Sequence, residues 1–300
     1  MSTRASNTKE VVMKWVFTAC ACISILAVAL ICIFLFANGL PTLFKIGPLK
    51  FLLGTTWKPG NDIYGILPMI LGSIYVTAGA IVVGVPIGLL TAIYMSRFAS
   101  KRINKVLLPA VQLLAGIPSV VYGFFGMVVL VPAIQAVLKT DFVRKTLHIT
   151  NGKGMSLFTA SLLLGIMILP TIITVSKTSL DAVPASYYEG SLALGATHER
   201  SVFFTILPAA KSGVMSAVIL GIGRAIGETM AVVMVAGNQT WMPQGLFKGL
   251  RTMTSNIVIE MGYAAGLHRE ALIATGVVLF VFILLINLCF SIVKGGSKNA

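Results

Sequence analysis

The chain has 300 residues, 57% of them hydrophobic and only 11% charged, with mean hydropathy +0.94. So little charge does not coat a soluble globule, which usually carries about 25% charged residues, and disorder needs the opposite balance of low hydrophobicity and high charge. A net charge of +14 is not a nucleic-acid patch either, because the basic residues are scattered through short connections between apolar runs. The class that remains is an all-α, polytopic membrane protein.

A crossing helix needs about 20 apolar residues. The first uncharged run is 16–36. It is longer than the apolar part of a signal peptide, and no small-x-small cleavage site follows, so it reads as a retained span. Cys20, Cys22 and Cys32 lie in it and Cys289 lies in the last run. With no CxxC and no histidine beside them, neither a metal site nor a disulfide is expected.

The next uncharged stretches, 63–96 and 106–138, are each too long for one straight perpendicular helix. Pro68 and Pro86 in the former, and Pro109, Pro118 and Pro132 in the latter, predict kinks or separate short helices. Further spans are expected at 154–176, 212–237 and 271–293, six in all. The chain thus divides into 1–62 (tail, first span and an external segment) and a transmembrane core, 63–300. Leu-Pro recurs at Leu67, Leu108, Leu169 and Leu207, where proline suits a first helical turn. Gly84/Gly88 and Gly223/Gly227 are small-xxx-small pairs that read as packing features.

Six spans place both termini on one side. With the termini inside, the inner connections hold twelve Lys/Arg and the outer ones ten, Arg224 lying within a span. The dense basic connection 97–105 argues better for cytoplasmic termini. An unusually basic outer face suits an anionic substrate.

One connection, about 177–211, is neither short nor polar enough for a floppy loop. Pro184 can open a helix, Glu189 suits its early turns, and Gly195 can end it in the left-handed conformation. A second short helix, about 197–205, runs up to Leu207-Pro208. This describes a small helical knob. It lacks the Lys/Arg-rich polar face of an interfacial helix, so a protein groove is the expected partner.

Arg224 and Glu228 stand near the middle of the expected fifth span. A charge at the bilayer centre costs about 2.5–3.5 kcal/mol on insertion scales. Four residues apart, the two are expected on one helix face, able to pair, with Gly221 and Gly227 leaving room beside them. They make either a structural ion pair or a translocation-path site. Gln112, Ser119 and Tyr122, with Gly116 and Gly123, are further path candidates, the alternative being helix packing.

Glu189-Gly190-Ser191, then Gly195, then Leu207-Pro208 resembles the EAA loop of ABC importer permeases. That pattern reads Glu-Ala-Ala, three residues, Gly, nine residues, Ile-x-Leu-Pro. Here Gly190-Ser191 replaces Ala-Ala and Thr205 replaces Ile. The motif Ala115-Gly116-Ile117-Pro118-Ser119-Val120-Val121-Tyr122-Gly123 is similar to that of phosphate importer permeases. So are the stretch from Gly221 to Ala231 and Val235-Ala236-Gly237-Asn238. Tyr64-Gly65-Ile66-Leu67-Pro68 fits their PstC branch rather than PstA.

The resemblance implies a type I (MetI-like) permease fold in the bacterial inner membrane and phosphate import by alternating access. It implies that Glu189, Gly190, Ser191, Gly195, Leu207 and Pro208 form the coupling helix that docks on an ATPase. It also implies a heterodimer with a PstA-like permease, two PstB-like ATPases and a periplasmic PstS-like binding protein. Arg224 would then read phosphate, since a guanidinium offers paired donors to an oxyanion. Glu228 would hold Arg224 in place.

No catalytic residue is expected in this chain. A P-loop needs G-x-x-x-x-G-K-[ST], and Gly152-Lys153 is followed by Gly154. ATP and Mg²⁺ therefore belong to separate ATPase subunits, and no cofactor is expected here. An ion-coupled secondary anion carrier is the alternative, supported by a titratable Glu228 but leaving the knob without a purpose. A membrane-embedded enzyme lacks a constellation, since His148, His198 and His268 are far apart and outside the expected spans.

Overall fold

A computed structural model describes residues 3–140 and 152–296. Five of its helices are long and apolar enough to cross a membrane, six if the helices His198–Ala209 and Lys211–Gly227, bent by 70° at their junction, are counted as one span. Helix α1, Thr3–Ile46, leads through α2, Pro48–Leu53, to a small antiparallel hairpin, β1 (Trp57–Lys58) and β2 (Ile63–Tyr64). Helix α3, Leu67–Ile93, runs on through a π-helical turn, Tyr94–Phe98. Then come α4 (Lys101–Gly116), α5 (Ser119–Phe125) and, after another π-helical turn, α6 (Val131–Lys139).

The expected interruption occurs in only one of the two long stretches. Ile117 and Pro118 are extended between α4 and α5, as residues before and at a proline tend to be. Helix α4 begins earlier than expected, at Lys101, because the Ser100 hydroxyl caps it by accepting from the Ile103 N–H. In α3, by contrast, Pro86 lies inside a continuous helix. Membrane helices tolerate this where neighbours and local adjustments satisfy the freed backbone.

The centre of the fold is α3 packed along α7, Leu157–Asp181. A Cβ on Gly84 would stand 2.7 Å from the Ile168 side chain, and one on Gly88 2.8 Å from Ile172. Both glycines therefore serve close helix approach. The pair at Gly223 and Gly227 does not: a Cβ at either would meet nothing within 4 Å.

After α7 the knob is built from α8 (Ala185–Ala193), α9 (His198–Ser201), a π-helical turn at Val202–Ile206 and α10 (Leu207–Ala209). Gly195 takes φ +84° at the end of α8, and the Thr197 hydroxyl caps α9 by accepting from the Arg200 N–H. The knob stands on its own core, in which Leu180, Val202 and Ile206 are fully covered beside Ile93 and Val214. Burying each such side chain from water contributes about 1.5–3 kcal/mol.

From the knob the chain bends by 70° into α11, Lys211–Gly227. Three helices follow: α12 (Met230–Val235), α13 (Met253–Met261) and α14 (Gly266–Gly296). Helix α14 runs antiparallel to the second half of α1. Phe36 meets Phe280 edge to face, and Thr42 donates to Glu270 at 3.1 Å.

Candidate functional site

The expected fifth span is broken after Gly227, about two thirds of the way along it. Helix α11 ends at Gly227, and Glu228 has extended backbone, φ −70° and ψ 130°. The expected Arg224–Glu228 pair is therefore not formed. A four-residue spacing brings side chains together only while the helix continues. Glu228 Oε1 instead accepts the Ala231 N–H at 3.2 Å. This is the first turn of α12, where unpaired N–H groups and the helix dipole favour a carboxylate. The Glu228 carbonyl also accepts from the Thr254 hydroxyl at 3.1 Å. Glu228 thus fastens the break rather than Arg224.

Arg224 turns toward α7, where Nη1 donates to the Thr171 hydroxyl at 3.4 Å. Arg224 takes no part in the ion pairs Lys45–Glu270, Lys177–Asp181, Arg251–Glu260 and His268–Glu260. Its guanidinium is half-buried, with open space over Gly223 and Gly227 beside it. A lone cation at the end of α11 therefore borders room that this chain leaves unfilled.

Among the other path candidates, Tyr122 is buried and lies within electrostatic reach of Arg224. Its hydroxyl donates to the Leu114 carbonyl at 2.8 Å, closing the end of α4. Gly123 lets α5 meet α12, since a Cβ there would lie 3.0 Å from the Ala231 Cα. Ser119 is half-buried at the start of α5, and Gln112 is exposed on α4. The structure thus gathers Tyr122 with Arg224 and leaves Gln112 on an outward face.

At the knob, Glu189 and Gly190 are exposed on α8. Leu194 and Phe204 are 91% and 78% exposed, which gives the knob an apolar tip. Ser191 faces inward and accepts from the Ser201 hydroxyl at 3.0 Å. The Tyr188 hydroxyl meets His198 Nδ1 at 2.7 Å, and the His198 ring packs edge-on against Phe98 from the end of α3. The knob is thereby tied to a membrane-crossing helix. Leu207 packs on the knob core, with Pro208 exposed in α10.

A buried polar cluster at the other end was not visible in the sequence. Glu260, 6% exposed, accepts from Trp57 Nε1 at 2.9 Å and from Arg251, and meets His268 Nε2 at 2.8 Å. Arg251 also donates to the Asn256 side chain and to the Asn238 carbonyl. The hairpin, α13, α14 and the segment after α12 are thus joined through one carboxylate. Nearby, burial and then the Asp62 carboxylate that accepts its hydroxyl push the Tyr64 phenol up to about 12. His148 lies outside the described residues.

The family described as "Binding-protein-dependent transport system inner membrane component" matches residues 84–295. The chain belongs to this family. The probable ABC transporter permease protein YqgH of Bacillus subtilis (strain 168) is 40% identical over 288 residues, covering 93% of this chain and 90% of its own. The phosphate transport system permease protein PstC of Haemophilus influenzae is 35% identical over 77% of this chain and 76% of its own.

Among solved structures, a bacterial ABC transporter that imports the acidic polysaccharide alginate matches with TM-score 0.64 at 15% identity, over 96% of this chain and 98% of that one. The MetNI methionine ABC transporter matches with TM-score 0.54 at 19% identity, over 78% and 94%. The fold is therefore that of the MetI-like importer permeases. The chain is a PstC-like permease subunit of an ABC importer and not itself an enzyme.

Proposed function

We propose that this permease carries inorganic phosphate across the inner membrane by ATP-driven alternating access. In this reading it pairs with a PstA-like permease, two PstB-like ATPases bind ATP and Mg²⁺, and a PstS-like periplasmic protein delivers phosphate. Both termini and the knob are then cytoplasmic.

The observation that carries the reading is Arg224, a half-buried cation with no carboxylate partner among the described residues, in the last turn of α11 just before the break at Glu228, with unfilled space over the neighbouring Gly223 and Gly227. A guanidinium there can offer two donors to an oxyanion. With no carboxylate among the described residues committed to it, its charge is available to the cargo. The knob supports the coupling half of the proposal. Its apolar tip fits a groove on an ATPase, and its contact through His198 to Phe98 carries a push to α3. The break at Glu228 gives α11 and α12 a joint about which to change angle.

The test is phosphate uptake into vesicles holding this chain with the three partner proteins. Uptake is expected only with ATP, and Arg224→Gln is expected to abolish it while the complex stays assembled. Normal uptake by the variant would remove Arg224 from the path. Uptake by this chain alone without ATP would favour an ion-coupled carrier instead.

A further inference from the structure

The far end of the fold carries a cavity that the path described above does not use. It measures about 340 Å³ and is lined by Lys153, Gln239, Trp241, Gln244, Lys248 and Gly249. Two lysines, two glutamines and a tryptophan line one space; the Trp241 indole N–H donates to Gln239 Oε1 at 3.0 Å and the Lys248 ammonium to Gln244 Oε1 at 3.1 Å, and the described lining residues include no carboxylate. Lysine is a compact cation with three donors, the two glutamine amides keep their NH₂ groups as neutral donors once their oxygens are taken, and the indole gives a flat apolar wall. That donor set fits a small oxyanion.

The backbone beneath the cavity is fixed, while the Lys153, Trp241, Gln244 and Lys248 side chains are exposed. Lys153 N–H donates to the Phe247 carbonyl, and Leu157 N–H to the Lys248 carbonyl. These bonds hold the approach to α7 against the segment after α12. The floor needs close backbone approach. A Cβ on Gly249 would stand 3.1 Å from the Gln239 side chain and 3.2 Å from the Ala236 carbonyl. Gly237 and Asn238, at φ +81° and +52°, turn the chain sharply just before Gln239.

The cavity is also linked to the break in span five. Helix α12 lies between Glu228 and the segment that bears Gln239, and its six residues span about 9 Å. The returning chain reaches the break again through Thr254 on the Glu228 carbonyl.

We infer that this cavity is a reception site for a small oxyanion, phosphate on the reading above, on which the inference rests for its place along the route. An anionic lipid headgroup carries the same phosphate chemistry, so the test separates the two sources. Trp241 in the wall supplies the signal. The purified full chain in zwitterionic-lipid nanodiscs is titrated with inorganic phosphate, and, separately, phosphatidylglycerol is introduced into the discs.

A saturable change in tryptophan emission with inorganic phosphate is expected. It should be absent in Trp241→Phe and weakened at least tenfold in Lys153→Gln/Lys248→Gln. Arg224→Gln should leave it unchanged. A change with phosphatidylglycerol alone would overturn the free-anion assignment and give the site to lipid. No change with either, or a change unaffected by the lysine substitutions, would overturn the site altogether. ATP-driven phosphate uptake without an emission change would sink this inference alone. An emission change without phosphate uptake would sink the transport reading alone.

Discussion

The hydroxyls of Ser191 and Thr205 lie 3.3 Å apart across the fold of the knob. Each stands where the loop of ABC importer permeases usually has an apolar residue, alanine or isoleucine. The two departures therefore touch each other. A hydroxyl placed among apolar neighbours costs free energy unless it finds a partner, and here each supplies the other, with Ser201 as a third member.

Removing one member should accordingly hurt more than removing both. Thr205→Ile alone is expected to destabilise the knob by about 0.5–1.5 kcal/mol. Ser191→Ala/Thr205→Ile, which restores the apolar pair, should recover most of it. Thermal unfolding of the two variants, with ATP-coupled uptake as a second readout, checks this. Additive losses would show that the two residues act independently.

Arg224 and Glu228 should separate experimentally. Glu228→Ala removes the carboxylate that accepts the Ala231 N–H, at a cost of about 0.5–2 kcal/mol for a lost cap. Hydrogen exchange at residues 229–233 should quicken. Arg224→Gln should leave those amides unchanged while transport fails. Exchanging the two residues should also fail, since an arginine cannot accept the Ala231 N–H. Faster exchange in Arg224→Gln would mean that the two are coupled after all.

Glu189 is exposed on α8. Glu189→Lys reverses its charge without disturbing the knob core. Co-purification of the ATPase should fall at least tenfold, and uptake should fall with it. Undiminished co-purification would place the docking contacts elsewhere on the knob.

The Glu260 cluster should act as a stability clasp. Arg251→Met leaves a buried carboxylate with one cation fewer, and breaking a buried pair costs about 3–5 kcal/mol. Thermal unfolding of the solubilised chain should show a lowered midpoint. Arg251→Met/Glu260→Leu should be less damaged than Arg251→Met, because no uncompensated charge remains.

The knob was the most legible part of the sequence. Pro184, Gly195 and Thr197 are local signals, and each acts within a few residues of itself. The break in span five was less legible. Gly227 is the only weak helix former at the junction, and neither Glu228 nor Thr229 announces an end. What stops the helix there is tertiary, with Thr254 taking the Glu228 carbonyl and α12 taking its carboxylate.

The Glu260 cluster was hidden for a related reason. Trp57 and Glu260 are 203 positions apart, and no spacing rule joins them. A usable hint was present: Glu260 is one of only nine acids in the chain, and it sits among apolar residues. The arginine itself was found because an intramembrane charge is conspicuous in any context.

The pairing of α1 with α14 bears on how the chain is made. Thr42 and Glu270 are 228 positions apart, so at about 5–20 residues per second the first helix waits roughly 10–45 s for its main neighbour. The most apolar 18-residue window of α1 is 0% buried by the rest of the chain. Through that interval the helix is held by lipid and by its own backbone hydrogen bonds, which suffice for a helix in a bilayer. Assembly of this pair is therefore late: a helix already in the membrane is anchored by one made more than 200 residues after it.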